Sequence, residues 1–420
     1  MTTNKNKSGY KHTKIGWIPK EWEVKSFKEI AEKKGKTLNP KDSTSVKCIE
    51  LEHIEQETGR ILGFTESNKL LSQKNKFIVS NILFGKLRPY LRKFWYAEFD
   101  GVCSSEIWVL SNRTNTDSKF LFYLVNTDRF IETANLTSGT KMPRSDWGVV
   151  STLSIPLPPM REQKKIAEIL STWDEAIETT EKLIAAQEQR KKWLMQQLLT
   201  GKTRFSGDWS STNKNDCKKT KIGSIPNDWE LSKMKEVVLV DSESINQDYN
   251  KEITFNYISL SDVQLGNIAD NLKSYNLKNA PSRARRIVRK NDVLLSTVRP
   301  NLKGFLFIGA NLDGFIASTG FSVLRSNGRI EPKYLYAYIF SYPFEKQIEA
   351  LLVGSNYPAI NSSEVKSLSI PLPSLPEQER IAEVLSTQDE LIEGLRDEKQ
   401  RLVEQKRGLM QVLLTGKVRV

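Results

Sequence analysis

The sequence predicts an α+β protein in which two related domains are separated by two long helices. Residues 155–202 recur as residues 370–417, at a constant offset of 215 positions, and 16 of the first 24 aligned residues are identical. A second motif, Gly-x-Ile-Pro-x-x-Trp, stands well before each of these segments, at Gly16 and again at Gly223. Self-similarity over so long an interval indicates that a whole domain–helix unit is duplicated.

Each repeated segment has the pattern of a long helix with a narrow apolar stripe. A Pro-rich lead-in ends the preceding strand, and Gly201 and Gly416 stand as C-terminal stops. Apolar residues recur at spacings of three and four on a charged surface, which favours one partner helix. We predict an antiparallel coiled coil with a pseudo-two-fold axis; packing of each helix on its own domain alone is the alternative. The coiled-coil residues are Ile166, Leu170, Trp173, Ile177, Ile184, Leu194, Leu198, Ile381, Leu385, Ile392, Leu395, Leu402, Leu409 and Leu413.

Polar residues interrupt this stripe at Gln187, Lys191, Lys399 and Lys406. Polar residues in a coiled-coil seam can fix its register or dock another subunit. Helix surfaces that simply face solvent would have the same composition, so both interpretations stand.

The chain divides into six predicted segments. They are a disordered tail (1–13), a first domain (14–155), a helical spacer (156–202), a polar linker (203–220), a second domain (221–370) and a second helical spacer (371–420). Short β-type runs alternate with helical stretches in both domains, which predicts mostly antiparallel sheets. Trp22 and Trp229 are predicted to anchor the domain cores, since a buried indole covers much apolar area; base stacking is the alternative.

Composition limits the class of protein. The net charge of +13 and the pI near 9.4 favour a polyanionic partner. Three scattered cysteines fit a reducing compartment, the N-terminus lacks a signal peptide, and no run approaches the roughly 18 apolar residues of a membrane span. We therefore expect a cytoplasmic protein with no membrane partner.

Catalytic motifs are missing from the sequence. Two histidines, one of them in the predicted tail, offer little for acid–base or metal chemistry. Thr200-Gly-Lys-Thr203 follows a helix instead of preceding one, and Gln196 replaces the first glycine of a phosphate-binding loop. No motif for base methylation or for S-adenosylmethionine is present. We expect a non-catalytic chain that binds no metal and no cofactor.

Two unlike domains on a shared spacer predict a bipartite reader of DNA. A helix of 38 residues would extend about 57 Å, more than the roughly 34 Å of one DNA turn. The domain surfaces would choose the two half-sequences, and the spacer would fix the distance between them. The alternative is a coiled-coil scaffold whose basic charge is incidental.

Candidate DNA contacts lie in two Arg-Pro segments, in a basic run and in two small polar loops. Arginine can pair with guanine or hold a phosphate. The alternatives are a solvated face or a phosphate clamp for the basic run and tight turns for the loops. The candidates are Lys86, Arg88, Arg92, Lys93, Ser138, Thr140, Lys141, Arg283, Arg285, Arg286, Arg289, Arg299, Lys303, Ser355, Asn356 and Tyr357.

The repeated motifs resemble those of the specificity subunits of type I restriction-modification systems. The shared features are Gly-x-Ile-Pro-x-x-Trp, the helix start Ile-Pro-Leu-Pro…Glu-Gln-x-x-Ile-Ala-Glu-x-Leu-Ser-x-x-Asp and the ending Leu-Leu-Thr-Gly-Lys, each present twice over residues 14–420. The resemblance implies two target-recognition domains that read a split double-stranded DNA sequence. The helices at 162–199 and 377–414 would then be the spacer and the dock for methyltransferase subunits.

The family resemblance also implies which molecules assemble with this chain. Two methyltransferase subunits would carry S-adenosylmethionine, and restriction subunits would carry ATP hydrolysis with Mg and DNA cleavage, while this chain has no activity of its own. One departure is that Ser296 and Thr297 replace Gly85 and Lys86 beside the second Arg-Pro segment. The DNA contacts of the two domains are therefore not expected to be equivalent.

Overall fold

The structure is a computed structural model that describes residues 8–39, 45–67, 72–136, 142–206, 208–211, 216–245, 252–352 and 358–420. It contains two compact units. The first combines residues 1–181 with residues 397–420, and the second comprises residues 182–396. The division passes through both long helices, so each unit contains half of each.

The first unit combines four small sheets with short helices. Its strands are β1 (Tyr10–Thr13), β2 (Gly16–Pro19), β3 (Glu23–Ser26), β4 (Ala31–Lys33), β5 (Thr37–Leu38), β6 (Lys47–Ile49), β7 (Thr65–Glu66), β8 (Lys74–Phe77), β9 (Ile82–Gly85), β10 (Phe94–Tyr96), β11 (Gly101–Cys103), β12 (Ile107–Asn112) and β13 (Ser154–Leu157). Its short helices are α1 (Phe27–Ile30), α2 (Ser118–Leu124), α3 (Asp128–Ala134) and α4 (Trp147–Val150), and the long helix α5 (Met160–Leu198) begins here.

The second unit repeats this order of elements. Its strands are β14 (Thr203–Ser206), β15 (Asp208–Ser211), β16 (Cys217–Thr220), β17 (Gly223–Pro226), β18 (Glu230–Lys233), β19 (Val238–Val240), β20 (Thr254–Ile258), β21 (Val263–Gln264), β22 (Asn267–Ile268), β23 (Lys273–Asn276), β24 (Ala284–Ile287), β25 (Val293–Ser296), β26 (Phe305–Phe307), β27 (Ile316–Ser318), β28 (Phe321–Ser326) and β29 (Ser369–Leu372). Its helices are α6 (Met234–Val237), α7 (Pro332–Ile339), α8 (Tyr342–Leu351), α9 (Ser362–Ser367) and the start of α10 (Leu375–Leu413).

Corresponding sheets have the same strand order in the two units. The order β10-β9-β12-β4 in the first matches β26-β25-β28-β19 in the second, and the pair β13-β3 matches β29-β18. Pairing is antiparallel except between β6 and β11 and between β20 and β27. The predicted α+β class with mostly antiparallel strands is confirmed, while the pseudo-two-fold relation between the units stays a prediction.

The structure differs from the predicted segments in several places. Residues 10–13 of the expected disordered tail form β1, paired with β2, and the expected linker contains the hairpin β14-β15 and the strand β16. Backbone pairing to a neighbouring strand orders these largely polar segments, and Phe205 also packs against the core of the second unit. The start of each predicted spacer is also a strand of the adjoining domain, because β13 pairs with β3 and β29 with β18.

The two long helices pack on each other inside each unit, and their direction is antiparallel. In the first unit Ile166 and Leu170, near the start of α5, share a core with Leu413, at the end of α10. In the second unit Leu198, at the end of α5, shares a core with Ile381, near the start of α10. The remaining predicted stripe residues are buried or half-buried. The coiled-coil prediction is confirmed.

The polar interruptions of the stripe pair with each other across the seam. In the second unit the side-chain amide of Gln388 donates to Gln187 Oε1 at 2.9 Å, and Lys191 binds Asp389. In the first unit Lys406 binds Asp174, and Lys399 binds Glu181 at 2.8 Å. A shift of register would separate every one of these pairs, so the polar residues specify the alignment of the helices.

Each Trp of the opening motif is buried and hydrogen-bonded to a glutamate in the first turn of a long helix. Trp22 is fully buried, and its indole N–H donates to Glu162 Oε2 at 2.9 Å, while Arg419 donates to both Glu162 oxygens. We call this set the first joint. It ties the start of the domain, the start of α5 and the end of the chain together.

The second unit contains the same arrangement, which we call the second joint. Trp229 Nε1 donates to Glu377 Oε2 at 3.2 Å, and Arg204 binds Glu377 and Asp228. Gly201 has a positive φ of 68°, and a Cβ atom there would lie 2.4 Å from the Pro226 ring, so only glycine fits. The predicted roles of both tryptophans and of the glycine stop are confirmed.

The glutamine beside each of these glutamates clamps the helix start to its domain. Gln163 accepts a bond from the Asp117 N–H at 2.8 Å and donates to the Pro158 carbonyl at 2.8 Å. Gln378 accepts the corresponding bond from the Glu331 N–H at 2.8 Å. The repeated Glu-Gln pair therefore has a structural function at the junction of domain and helix.

We predict that Glu162→Ala destabilises the protein by about 1–3 kcal/mol, because the buried Trp22 indole loses its acceptor. Glu162→Gln should cost less, since an acceptor oxygen remains. The measurement is denaturant unfolding followed by tryptophan fluorescence. Glu168→Ala, on the exposed face of the same helix, is the matched control and should change stability by less than about 0.5 kcal/mol.

Acid should weaken the tie between the first domain and its helices. Hydrogen bonds from Arg60 hold the pKa of Glu181 below its usual range, and Lys399 adds to the effect. A lowered folded-state pKa stabilises the fold above the unfolded pKa of about 4.3, and this stabilisation is lost as the pH falls through the folded pKa. Glu181→Gln should therefore lower the Tm at pH 7, and the Tm gap to wild type should shrink below pH 4. A gap that is constant with pH would contradict this.

Candidate nucleic-acid interface

Both units contain an Arg-Pro turn of unusual backbone conformation. After β9 the chain forms a short 3-10 turn over Pro89–Leu91, flanked by Arg88 and Arg92 with φ of 53° and 47°. Left-handed φ is uncommon for residues with a side chain and costs of order 1 kcal/mol. Arg88 and Arg92 both carry this conformational cost.

The second unit repeats the conformation after β25. A 3-10 turn over Pro300–Leu302 lies between Arg299 and Lys303, with φ of 50° and 52°. The two turns therefore share a backbone geometry that the sequence resemblance between the Arg-Pro segments does not by itself require. Arg88 and Arg299 are both exposed.

Each Arg-Pro turn lies beside the end of the small polar loop of its own domain. The Arg88 N–H donates to the Pro143 carbonyl at 2.8 Å, and the Arg299 N–H donates to the Pro358 carbonyl at 2.7 Å. Two segments that are more than 50 residues apart in sequence thus form one surface in each unit. The predicted contacts Ser138, Thr140, Lys141, Ser355, Asn356 and Tyr357 lie outside the described residues.

Several of the predicted DNA contacts bind protein groups instead. Arg92 binds Asp128 and donates to the Asn126 carbonyl, and its counterpart Lys303 binds Glu345 at 3.0 Å. These contacts hold the Arg-Pro turn against α3 in the first unit and against α8 in the second. Lys93 donates to the Leu51 carbonyl at 2.6 Å. A direct contact of these cations with DNA stays a prediction.

The basic run of the second domain is divided between paired and exposed residues. Arg286 binds Asp241 at 3.1 Å, and Arg289 binds Glu243 through two nitrogens. Arg285 is half-buried, whereas Arg283 is exposed at the start of β24. The run therefore contributes both a structural ion-pair network and an exposed cation.

Backbone bonds connect this run to the Arg-Pro turn. The Thr319 N–H donates to the Arg283 carbonyl at 2.8 Å, and the Gly320 carbonyl accepts from the Thr297 N–H at 2.8 Å. Thr297 is two residues before Arg299, so Arg283 and Arg299 belong to the same end of the second domain. The sequence alone gave no reason to join them.

Sequence reasoning missed the two joints and the charged pair Glu106–Arg144. The joint residues Glu162, Gln163, Glu377 and Gln378 are identical in both repeats, and that identity was the available signal. Glu106 and Arg144 are unmatched between the repeats, so nothing in the sequence distinguished them from other surface charges. The structure places them beside the first Arg-Pro turn.

A groove lies between helix and domain at corresponding places in the two units. The larger one, about 680 Å³, is in the second unit and is lined by Lys191, Lys192 and Met195 of α5 together with aromatic residues of the domain. The smaller one, about 490 Å³, is in the first unit. Its lining includes Lys406, Arg407 and Met410, the residues 215 positions later, so duplication preserved the grooves.

The described part of the chain holds no cluster of three or more histidine, cysteine and carboxylate side chains that could bind a metal. Among the same residues, no helix is both long enough and apolar enough to cross a membrane.

Solved structures share this fold. A chain from work on complex assembly and conformational transition of the type I R-M system matches 96% of this chain and 99% of its own length, with a TM-score of 0.61 and 21% identity. The type I restriction-modification system S subunit from M. genitalium matches 94% of this chain and 96% of its own length, with a TM-score of 0.56 and 14% identity.

Curated relatives cover most of the sequence. The type I restriction enzyme MjaVIII specificity subunit of Methanocaldococcus jannaschii is 33% identical over 76% of this chain and 75% of its own length. The putative type I restriction enzyme MjaX specificity subunit of the same organism is 30% identical over 98% and 97%. The family model of the type I restriction modification DNA specificity domain matches twice, at residues 19–189 and 226–404. The chain therefore belongs to the family of type I restriction-modification specificity subunits.

Proposed function

We propose that this chain recognises a DNA sequence in two separated parts and recruits the methyltransferase and restriction subunits that act on it. The observation that carries the proposal is the pair of exposed Arg-Pro turns, one in each unit, with the same strained backbone and different surroundings. Two turns with the same backbone and different neighbouring side chains suit two domains that recognise different base sequences. The coiled coil suits a spacer that keeps the half-sites at a constant gap.

The net charge of +13 supports a DNA partner. Exposed Arg88, Arg283 and Arg299 are candidates for base or phosphate contacts, and Arg92, which binds Asp128, holds the turn in place. The chain then contributes recognition and no chemistry of its own.

The two grooves support recruitment of two copies of one partner. They occupy repeat-related positions, and each presents a lysine or arginine and a methionine from the helices. Methionine adapts to the shape of a partner, which suits a docking surface. These partners would be the methyltransferase subunits. In this scheme S-adenosylmethionine is bound by them, and ATP and Mg by the restriction subunits.

A protein scaffold without DNA binding is the competing function, and one observation favours it: many of the basic side chains are neutralised by carboxylates of the same unit. The salt dependence of binding separates the two. DNA recognition requires that affinity fall steeply as salt displaces phosphate contacts, whereas a scaffold would bind its partners without DNA.

Methylation mapping tests the function directly. We expect genomic DNA from cells expressing this chain with its methyltransferase partner to be modified at a split motif with a constant gap. Deleting the chain should abolish that pattern. A continuous motif, or methylation that persists without the chain, would refute the proposal.

Replacing Arg88 by glycine should separate recognition from stability. Glycine accepts a φ of 53° without strain, so the Tm should be unchanged or slightly raised. Discrimination at one half-site should fall by about 5-fold to 150-fold, the loss of about 1–3 kcal/mol. Arg299→Gly should act on the other half-site. The measurements are thermal unfolding and competition binding with duplexes mutated in one half. Unchanged half-site preference in both variants would exclude the turns from readout.

A further inference from the structure

The two Arg-Pro turns differ in three neighbouring side chains. In the first domain the Lys86 N–H donates to the Glu106 carbonyl at 2.9 Å, and the Lys86 carbonyl accepts from the Ser145 N–H at 2.8 Å. Leu87 forms a bridge with Arg144. These backbone bonds place Lys86, Glu106 and Arg144 side by side on the surface next to Arg88.

The second domain makes the same backbone bonds with small residues. The Thr297 N–H donates to the Gly320 carbonyl at 2.8 Å, the Thr297 carbonyl accepts from the Ile360 N–H at 2.9 Å, and Val298 forms a bridge with Ala359. Thr297 therefore corresponds to Lys86, Gly320 to Glu106 and Ala359 to Arg144. Three charged side chains in the first domain thus correspond in position to three small residues in the second.

Arg144 is exposed and is held by one contact. Its Nε donates to Glu106 Oε2 at 3.0 Å, with side-chain exposures of 48% for Arg144 and 28% for Glu106. Within the described residues, the two terminal nitrogens of this guanidinium have no partner. Glu106 thus fixes the orientation of the guanidinium and leaves its terminal edge available.

A guanidinium oriented in this way suits guanine. The two acceptors of guanine in the major groove, O6 and N7, match two parallel N–H donors, and a side chain that is already oriented loses less entropy on binding. A phosphate clamp would not need a carboxylate beside it, because the negative Glu106 repels phosphate. The local chemistry favours a base edge over the DNA backbone.

We propose that Arg144, oriented by Glu106, reads a guanine in the half-site of the first domain. This inference rests on the proposed DNA-recognition function and adds the residue and the base that it reads. The second domain has no counterpart, since Gly320 and Ala359 carry no polar side-chain atom. The two half-sites consequently differ at the base that faces this position.

The test uses the full chain in complex with its methyltransferase partner. Arg144→Lys retains the charge and removes the two-pronged donor, Arg144→Ala removes both, and Glu106→Gln removes the charge that orients the guanidinium. Arg329→Ala is the matched control, because Arg329 is equally exposed and binds Glu230 at 2.9 Å, away from the turn. The readouts are the methylated motif from sequencing, competition binding and thermal unfolding.

We expect Arg144→Lys and Arg144→Ala to lower the preference for guanine at one position of one half-site by about 10-fold or more. The base preferences of the other half-site should be unchanged. Glu106→Gln should relax the same position less, and Arg329→Ala should change neither half. Uniform weakening at all positions with Arg144→Ala, restored by Arg144→Lys, would mean a phosphate contact and overturn the inference. An unchanged motif in folded Arg144 variants would also overturn it. If the wild-type complex did not methylate a split motif, the proposed function itself would be refuted.

Discussion

The hydrogen bond from a buried indole to a helix glutamate is the interaction on which the rest of the structure depends. Trp22 with Glu162, and Trp229 with Glu377, join the start of each domain to the first turn of a long helix. An arginine from the segment after the other long helix completes each joint, Arg419 in the first unit and Arg204 in the second. Because the glutamates are almost fully buried, their charge requires these partners, and the joint is specific as well as stable.

The joints explain why each unit contains half of both long helices. The end of α10 packs in the core of the first unit, and the end of α5 packs in the core of the second unit. Polar pairs in the seam then fix how the helices align. Apolar stripes alone tolerate a shift by one heptad, whereas paired charges and amides do not.

The surface that we propose for DNA recognition lies on a part of each domain that differs between the two copies. The Arg-Pro turn keeps its backbone in both units, since Arg92 anchors it to α3 and Lys303 anchors it to α8. The side chains of Lys86, Glu106 and Arg144 do not anchor the turn in this way. The second domain has the same backbone bonds with small residues at the equivalent positions. Under the proposed function, a conserved turn with different neighbouring side chains would allow the two domains to recognise different sequences.

The sequence by itself determined the duplication, the α+β class, the antiparallel pairing of the helices and the burial of both tryptophans. These features depend on the local spacing of apolar residues and on identities between the two repeats, such as Gly201 and Gly416. Both can be read directly from the sequence. It did not reveal the strands within residues 10–13 and 203–220, because these strands depend on backbone pairing with neighbouring strands, which a polar composition does not indicate. Nor could it separate anchoring cations from exposed ones. Arg88 and Arg92 are four residues apart in one motif, and only the positions of Asp128 and the Asn126 carbonyl in three dimensions decide that one is bound to the protein while the other faces outward.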